Sequence, residues 1–241
     1  MEVHHPSHHE RKKNWRSYFW EFLMLFLAVS LGFFVENLRE HYVERSRAAE
    51  LAKSLYEDLK KDTIALNAGI RFGEKKINGA DDLLAMLHGP REQMKDTAFY
   101  RSMLSVIAAS PFVSTDGTYS QVKASGALRY FDQSLVNRMN AYSVQNQKSK
   151  MRDEVEEKST KSMADFLLDV INFEIIFDLR FNQPITHDMF IKIADKAARE
   201  KLINHIVIIK TFRMRTLQEY KSQLDIAEKL LDEVKKEYHL E

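Results

Sequence analysis

Residues 15–39, WRSYFWEFLMLFLAVSLGFFVENLR, constrain this chain more than any other stretch. Residues 22–35 carry no charge over 14 positions, which at helical rise covers about 21 Å of the roughly 30 Å of bilayer hydrocarbon. Widening the segment to residues 17–37 gives about 31 Å, a full crossing, and takes in Glu21 and Glu36. Each carboxylate then lies a few ångströms inside a boundary, where it must snorkel, pair or protonate. Tyr18, Phe19 and Trp20 fit an interfacial aromatic belt. A cleaved signal peptide is the competing reading, with RKKNWR as its basic region. It lacks a small-x-small site after the apolar run, because Ala28, Val29 and Ser30 fall inside that run and residues 31–34 continue it. The segment therefore reads as an uncleaved anchor, residues 15–38, between a basic tail at 1–14 and a charged domain at 39–241.

Lys and Arg set the expected orientation. Arg11, Lys12, Lys13 and Arg16 crowd the N-terminal flank, whereas Arg39, Arg45 and Arg47 alternate with Glu36, Glu40 and Glu44. That bias favours an inside N-terminus and an outside domain. At 100° per residue, Glu21, Leu25, Ala28, Gly32 and Glu36 share one stripe of the anchor, with Ser30 opposite. Ala28 and Gly32 form a small-x-x-x-small pair. The stripe is the expected face for homo-oligomer formation, with both acids turned from lipid.

Beyond the anchor the chain reads as all-α, a long-helix bundle continuing from the membrane helix. Seven Gly and four Pro in 241 residues leave little loop. Leu51, Leu55, Leu59, Leu66, Ile70, Ile77, Leu84 and Leu87 recur at helical spacing, and His88-Gly89-Pro90 is a firm stop. Gly69, Gly73 and Gly79 suggest a bend before it. A second helix is expected at 96–109, and then an irregular, mobile stretch at 110–118. A capping box at Thr118-Tyr119-Ser120-Gln121 would restart a helix running to about Leu128. A third long helix fits residues 132–181, its middle (145–162) so polar that solvent or a wet interface should face it. Thr186 should cap a short helix at 187–200. The last helix, from about Leu202, carries Leu217, Tyr220, Leu224, Ala227, Leu231, Val234 and Tyr238, a heptad seam for the first helix or another subunit.

Site chemistry is sparse. A net charge of +1 gives no nucleic-acid footprint, and the absence of cysteine removes disulfides and thiol chemistry. His4, His5, His8 and His9 have metal-binding character, but a polar tail explains them as well. His187-Asp188 and His205 stand alone, and neither H-E-x-x-H nor paired E-x-x-H motifs occur. Asp116, Tyr119 and Arg129 are the strongest polar candidates for a catalytic role, yet turn and cap chemistry accounts for that region. The reading assigns no catalytic residue, cofactor or metal.

The run EFLMLFLAVSLGFFVENLREHYVE at 21–44, followed by SLYEDLKKD at 54–62, resembles an uncharacterised family of bacterial single-span envelope proteins. TYSQVKASGALRYF at 118–131 is similar to a second block of that family. The resemblance implies one N-terminal span and a helical domain, and carries no activity. The expected function is a membrane-anchored interaction or scaffold protein, with the lipid bilayer, another envelope protein and further copies of itself as partners. The alternative is a ligand-sensing bundle acting through a separate membrane partner.

Overall fold

The computed structural model describes residues 15–193 and 195–240, so His4, His5, His8 and His9 lie outside the described residues. It is all-helical, with six α-helices: α1 (Trp15–His88), α2 (Asp96–Ile107), α3 (Gly117–Ala124), α4 (Gln133–Leu167), α5 (Phe173–Arg180) and α6 (Lys196–Glu237). Backbone contacts divide the chain into a unit at 1–50 and a unit at 51–241, and α1 contributes to both.

In the first unit, α1 has one window long and apolar enough to cross a membrane, and none of it is buried. Phe22, Leu25, Phe26, Leu31, Phe33 and Phe34 are all exposed. Glu36 accepts two hydrogen bonds from Arg39 one turn on, at 2.9 and 2.5 Å, which supplies one of the two acids with a counter-charge.

The second unit is built on residues 51–88 of α1 with α4 and α6. Lys76 and Arg213 both meet Glu156, whereas Asp62 meets Tyr142. Rising numbers on α1 thus match rising numbers on α4 and falling ones on α6 (Gly69 lies against Tyr220, Gly73 against Leu217 and Arg213). One line of buried positions on α1 alternates by three and four: Ala52, Leu55, Leu59, Asp62, Leu66, Gly69, Gly73, Lys76, Ala80, Leu83, Leu87. The α6 stripe does the same through Leu202, Ile206, Ile209, Arg213, Thr216, Tyr220, Gln223, Ala227, Leu230 and Val234. Such spacing keeps one face of each helix inward over its whole length.

Two apolar cores occupy the ends of this assembly. One joins Leu83 and Leu87 to α2, to Met163 and Leu167 of α4, to Ile175 of α5 and to Leu202–Ile209 positions of α6. The other joins Ala52, Leu55 and Leu59 to Val122, to Leu135 and Met139 of α4, and to Ala227, Leu230 and Val234 of α6. Between them the seam turns polar, with only Leu66, Phe112 and Tyr220 forming a small apolar cluster.

Several sequence expectations fail for identifiable reasons. The glycines do not break α1, which runs unbroken to His88: a Cβ on Gly69 would lie 2.9 Å from the Tyr220 ring, and one on Gly73 2.6 Å from Leu217. They let α6 approach. The long helix over 132–181 breaks after Leu167, because Tyr100 accepts a hydrogen bond from the Asn172 amide (2.8 Å) and donates to the Phe190 carbonyl (2.6 Å). Asn172 then caps α5 through the Glu174 amide. Residues 187–193 are not helical: Ile191 bridges Ile171, Lys192 donates to the Val170 carbonyl, and Asp195, not Thr186, caps the following helix. No capping box forms at Thr118, whose amide and hydroxyl are both turned to Asp58 of α1.

Candidate functional site: a charged cleft between the two cores

The polar middle of α4 is exposed or half-buried at most positions, as expected, but Gln145, Ser149 and Glu156 are buried there. The 3–4 register carries them inward. Glu156 Oε1 receives Lys76 Nζ at 2.9 Å, Arg213 Nε at 3.0 Å and Arg213 Nη2 at 2.6 Å. All three side chains are under 5 % exposed. Lys76 also donates to the Ala108 carbonyl at 2.9 Å, and the Arg213 guanidinium lies over the Phe72 ring at 5.9 Å. Two cations on one carboxylate leave this trio one positive charge in excess.

The nearest remaining acid is Asp153, one turn before Glu156 on α4. Its Oδ2 accepts from Tyr220 Oη at 2.6 Å, and that phenol oxygen accepts the Phe112 amide at 2.8 Å. Burial holds the Asp153 carboxyl above the usual range, against the opposing pull of the Tyr220 hydrogen bond and Arg213. Burial likewise pushes Lys76 below its ordinary value, outweighing the attraction of Glu156, and raises the Tyr220 phenol, which also donates to Asp153. Arg213 Nη1 and Asp153 Oδ1 are buried without a hydrogen-bond partner.

Residues 110–118, expected to be mobile, are tied to the helices through Phe112, Ser114, Thr115 and Thr118. Asp62, 1 % exposed, accepts from Ser114 Oγ, the Thr115 amide and Tyr142 Oη, each at 2.6 Å. Phe112 packs edge-on against Tyr220. Ser110 and Pro111 form one wall of a cleft of about 220 Å³, whose floor and far wall are Lys76, Arg213, Asp153, Glu156, Glu157 and Thr160. A neighbouring groove of about 450 Å³ shares Pro111, Asp153 and Glu157 with it and extends to Asp116, Asn146 and Lys150.

The sequence candidates fare differently. Asp116 and Tyr119 line a space of about 20 Å³ beside Asp58, Asp62 and Tyr142, which has room for about one water and no substrate. Tyr119 donates to Asn140, and Arg129 lies over the Tyr130 ring outside that space. The three are not brought to one reacting point. His187 is held locally between Glu174 and Asp178, and His205 stacks on Phe166. Among the described residues, no group of three or more His, Asp or Glu is placed to hold a metal ion. Sequence reasoning missed Lys76, Glu156 and Arg213. Their signal was register: each is a charge on an otherwise inward-facing stripe.

Fold and site together define an all-helical protein with one exposed, membrane-length apolar segment and a charged cleft between two apolar cores. Comparison with protein-family models, curated proteins and solved structures finds no match for this chain.

Proposed function

We propose that this chain is a membrane-anchored helical interaction or scaffold protein of the bacterial envelope, resembling the uncharacterised single-span family noted above. Residues 15–38 are the anchor, the tail 1–14 stays inside, and residues 39–241 lie outside the cytoplasm. The observation that carries the reading is an apolar helical window with no buried surface. A soluble core helix hides its apolar residues, whereas this one leaves its whole circumference for lipid or another anchor. The rest of the chain has two packed cores and needs none of that surface.

Glu21, Leu25, Ala28, Gly32 and Glu36 form the self-association face of the anchor in this reading. Among the described residues, nothing beyond the helix's own backbone lies within 4 Å of where a Gly32 Cβ would stand, so a neighbouring backbone has room to approach. Cross-linking in native membranes tests the face: Gly32→Leu should abolish an anchor-mediated oligomer and Ser30→Leu should preserve it. Equal behaviour of the two variants removes the stripe as an interface. A pulldown from detergent extract tests the scaffold role, which requires a second envelope protein in near-stoichiometric yield.

The charged cleft favours a second reading, an extracytoplasmic ligand-sensing bundle that signals through a separate membrane partner. The loop 108–116 hangs from Lys76 and Tyr220, and those two are the groups held by the cleft acids Glu156 and Asp153. A ligand that competes for either acid would loosen the loop.

A further inference from the structure

We infer that the crease between α4 and α6 is a docking groove for an acidic, amphipathic helix of a partner protein. Two contacts fix the register there: Arg152 Nε meets Glu219 at 3.8 Å, and the Phe166 ring stacks on His205 at 5.5 Å. Between those ends α4 carries Val155, Ser159 and Ser162, and α6 carries Arg215, Phe212 and Ile208. Both rows step by three and four, so each keeps one line along the crease for about 21 Å, about four turns. The floor is apolar and partly bare: Val155 is 40 % exposed and Ile208 46 %, with Phe212 half-buried. The two serines keep the α4 side low, and Ser159 donates its hydroxyl to the Val155 carbonyl at 3.2 Å. The other two creases of the bundle are occupied. Glu74–Lys221 and Asp81–Lys210 bridge α1 to α6, and residues 110–118 are tied to α1 beside α4. Among the described residues, no hydrogen bond or ion pair joins Val155, Ser159 or Ser162 to α6.

Charge selects the occupant. One turn beyond the end contacts the rows reach Lys148 on α4 and Lys201 on α6, so the two lines carry four cations (Lys148, Arg152, Lys201, Arg215) and one acid, Glu219. Glu219 is already held by Arg152 and by Gln145, which donates to it at 2.8 Å. Among the described residues, neither Lys148 nor Arg215 takes part in an ion pair. This excess repels the identical face of a second copy and attracts acids on another chain. A helix that lays i, i+3, i+4 and i+7 apolar anchors in the trough, with acids on its flanks, satisfies floor and rims together. A flat anionic lipid surface would meet the rims but not the floor, because Phe166 and Phe212 are recessed to half burial. The inference rests on the interaction reading and names the kind of partner that reading requires.

Fluorescence anisotropy on the full chain in phosphatidylcholine nanodiscs tests it. The probe is a labelled synthetic helix of about 18 residues with Leu at three–four spacing and Glu, Ala and Gln elsewhere; a second probe replaces each Glu by Lys. The acidic helix should bind at least about tenfold more tightly than the basic one. Ile208→Glu should weaken it about tenfold. Arg215→Glu, an exposed change that keeps the test valid if the first variant misfolds, should weaken it about fivefold. Val207→Glu is the control: Val207 is as bare as Ile208, at 44 %, but lies about 100° around α6 and off the row, so affinity should not change. No binding of the acidic helix at about 100 μM, equal binding of the basic helix, or equal losses in Ile208→Glu and Val207→Glu would overturn the inference. Capture of the nanodiscs by phosphatidylglycerol vesicles, lost in Ile208→Glu, would overturn it too, by assigning the face to lipid. Each of these failures leaves the anchor and the pulldown result as they stand.

Discussion

Glu156→Gln removes one negative charge and almost no volume, and it leaves Lys76 and Arg213 facing each other in a space where each is under 5 % exposed. Deleting one partner of a buried ion pair costs about 3–5 kcal/mol. Lys76 offers a ceiling on that cost, because it can shed its proton. From its ordinary value of 10.5, neutralising a lysine at pH 7 costs about 4.8 kcal/mol, at 1.36 kcal/mol per unit. At pH 9 the same escape costs about 2 kcal/mol. The variant should therefore lose about 4 kcal/mol at pH 7, roughly 10 °C in Tm for a domain of this size, and recover about half of it by pH 9. The direction follows from Lys76, whose folded value is depressed: the unfolded chain binds more protons up to pH 10.5, so stability rises with pH there. Far-UV circular dichroism in micelles is the suitable readout, since Trp15 and Trp20, both at the start of α1 and far from the trio in sequence, are the two tryptophans of the chain. A penalty below about 1 kcal/mol, or one that does not change with pH, would refute the argument by showing that the trio is hydrated through the cleft.

Gly73→Ala should destabilise the bundle by about 1–3 kcal/mol through overpacking against Leu217 and Arg213, while Gly32→Ala, with open space around it, should leave thermal melting unchanged or slightly improved. Asp153 has a raised folded value, so its contribution is fully present below 3.8 and is lost as pH rises through that folded value; Asp153→Asn should flatten the loss, melting at or above the parent near neutrality and converging with it in acid. The Phe112 and Thr115 amides, donating to Tyr220 and Asp62, should exchange slowly in native-state hydrogen exchange, at rates comparable with the α1 amides near Leu59 and Leu66. Fast exchange at both would mean that the loop is open in solution.

Much of the fold could be read from local signals. The stop at His88-Gly89-Pro90, the helix at 96–107 and the irregular stretch after it needed only glycine, proline and spacing. The break after Leu167 could not be read, because Leu168, Val170 and Ile171 continue an apolar helical pattern. What interrupts it is Tyr100, some seventy residues earlier, gripping Asn172 and Phe190. The α1 stripe was read partly out of register for a related reason. Ile70, Ile77 and Leu84 are apolar but half-buried, while the fully inward line runs through Asp62, Gly69, Gly73 and Lys76. Apolar periodicity follows hydrophobic residues and is blind to a seam that turns polar in its middle. The cleft was hidden by the same effect, since Glu156 looks like one more acid in a solvated run until its partners on α1 and α6 are placed.

If residues 15–38 hold a folded extracytoplasmic domain to the membrane, as proposed, the chain must resist extraction while its domain stays open to attack from outside. Protease added to spheroplasts, followed by alkaline carbonate extraction of the membranes, tests it most directly. The intact chain should pellet with the membranes at alkaline pH, and protease should digest residues 40–241 from outside. Release of the chain into the carbonate supernatant, or full protection of the domain until the spheroplasts are lysed, would contradict it.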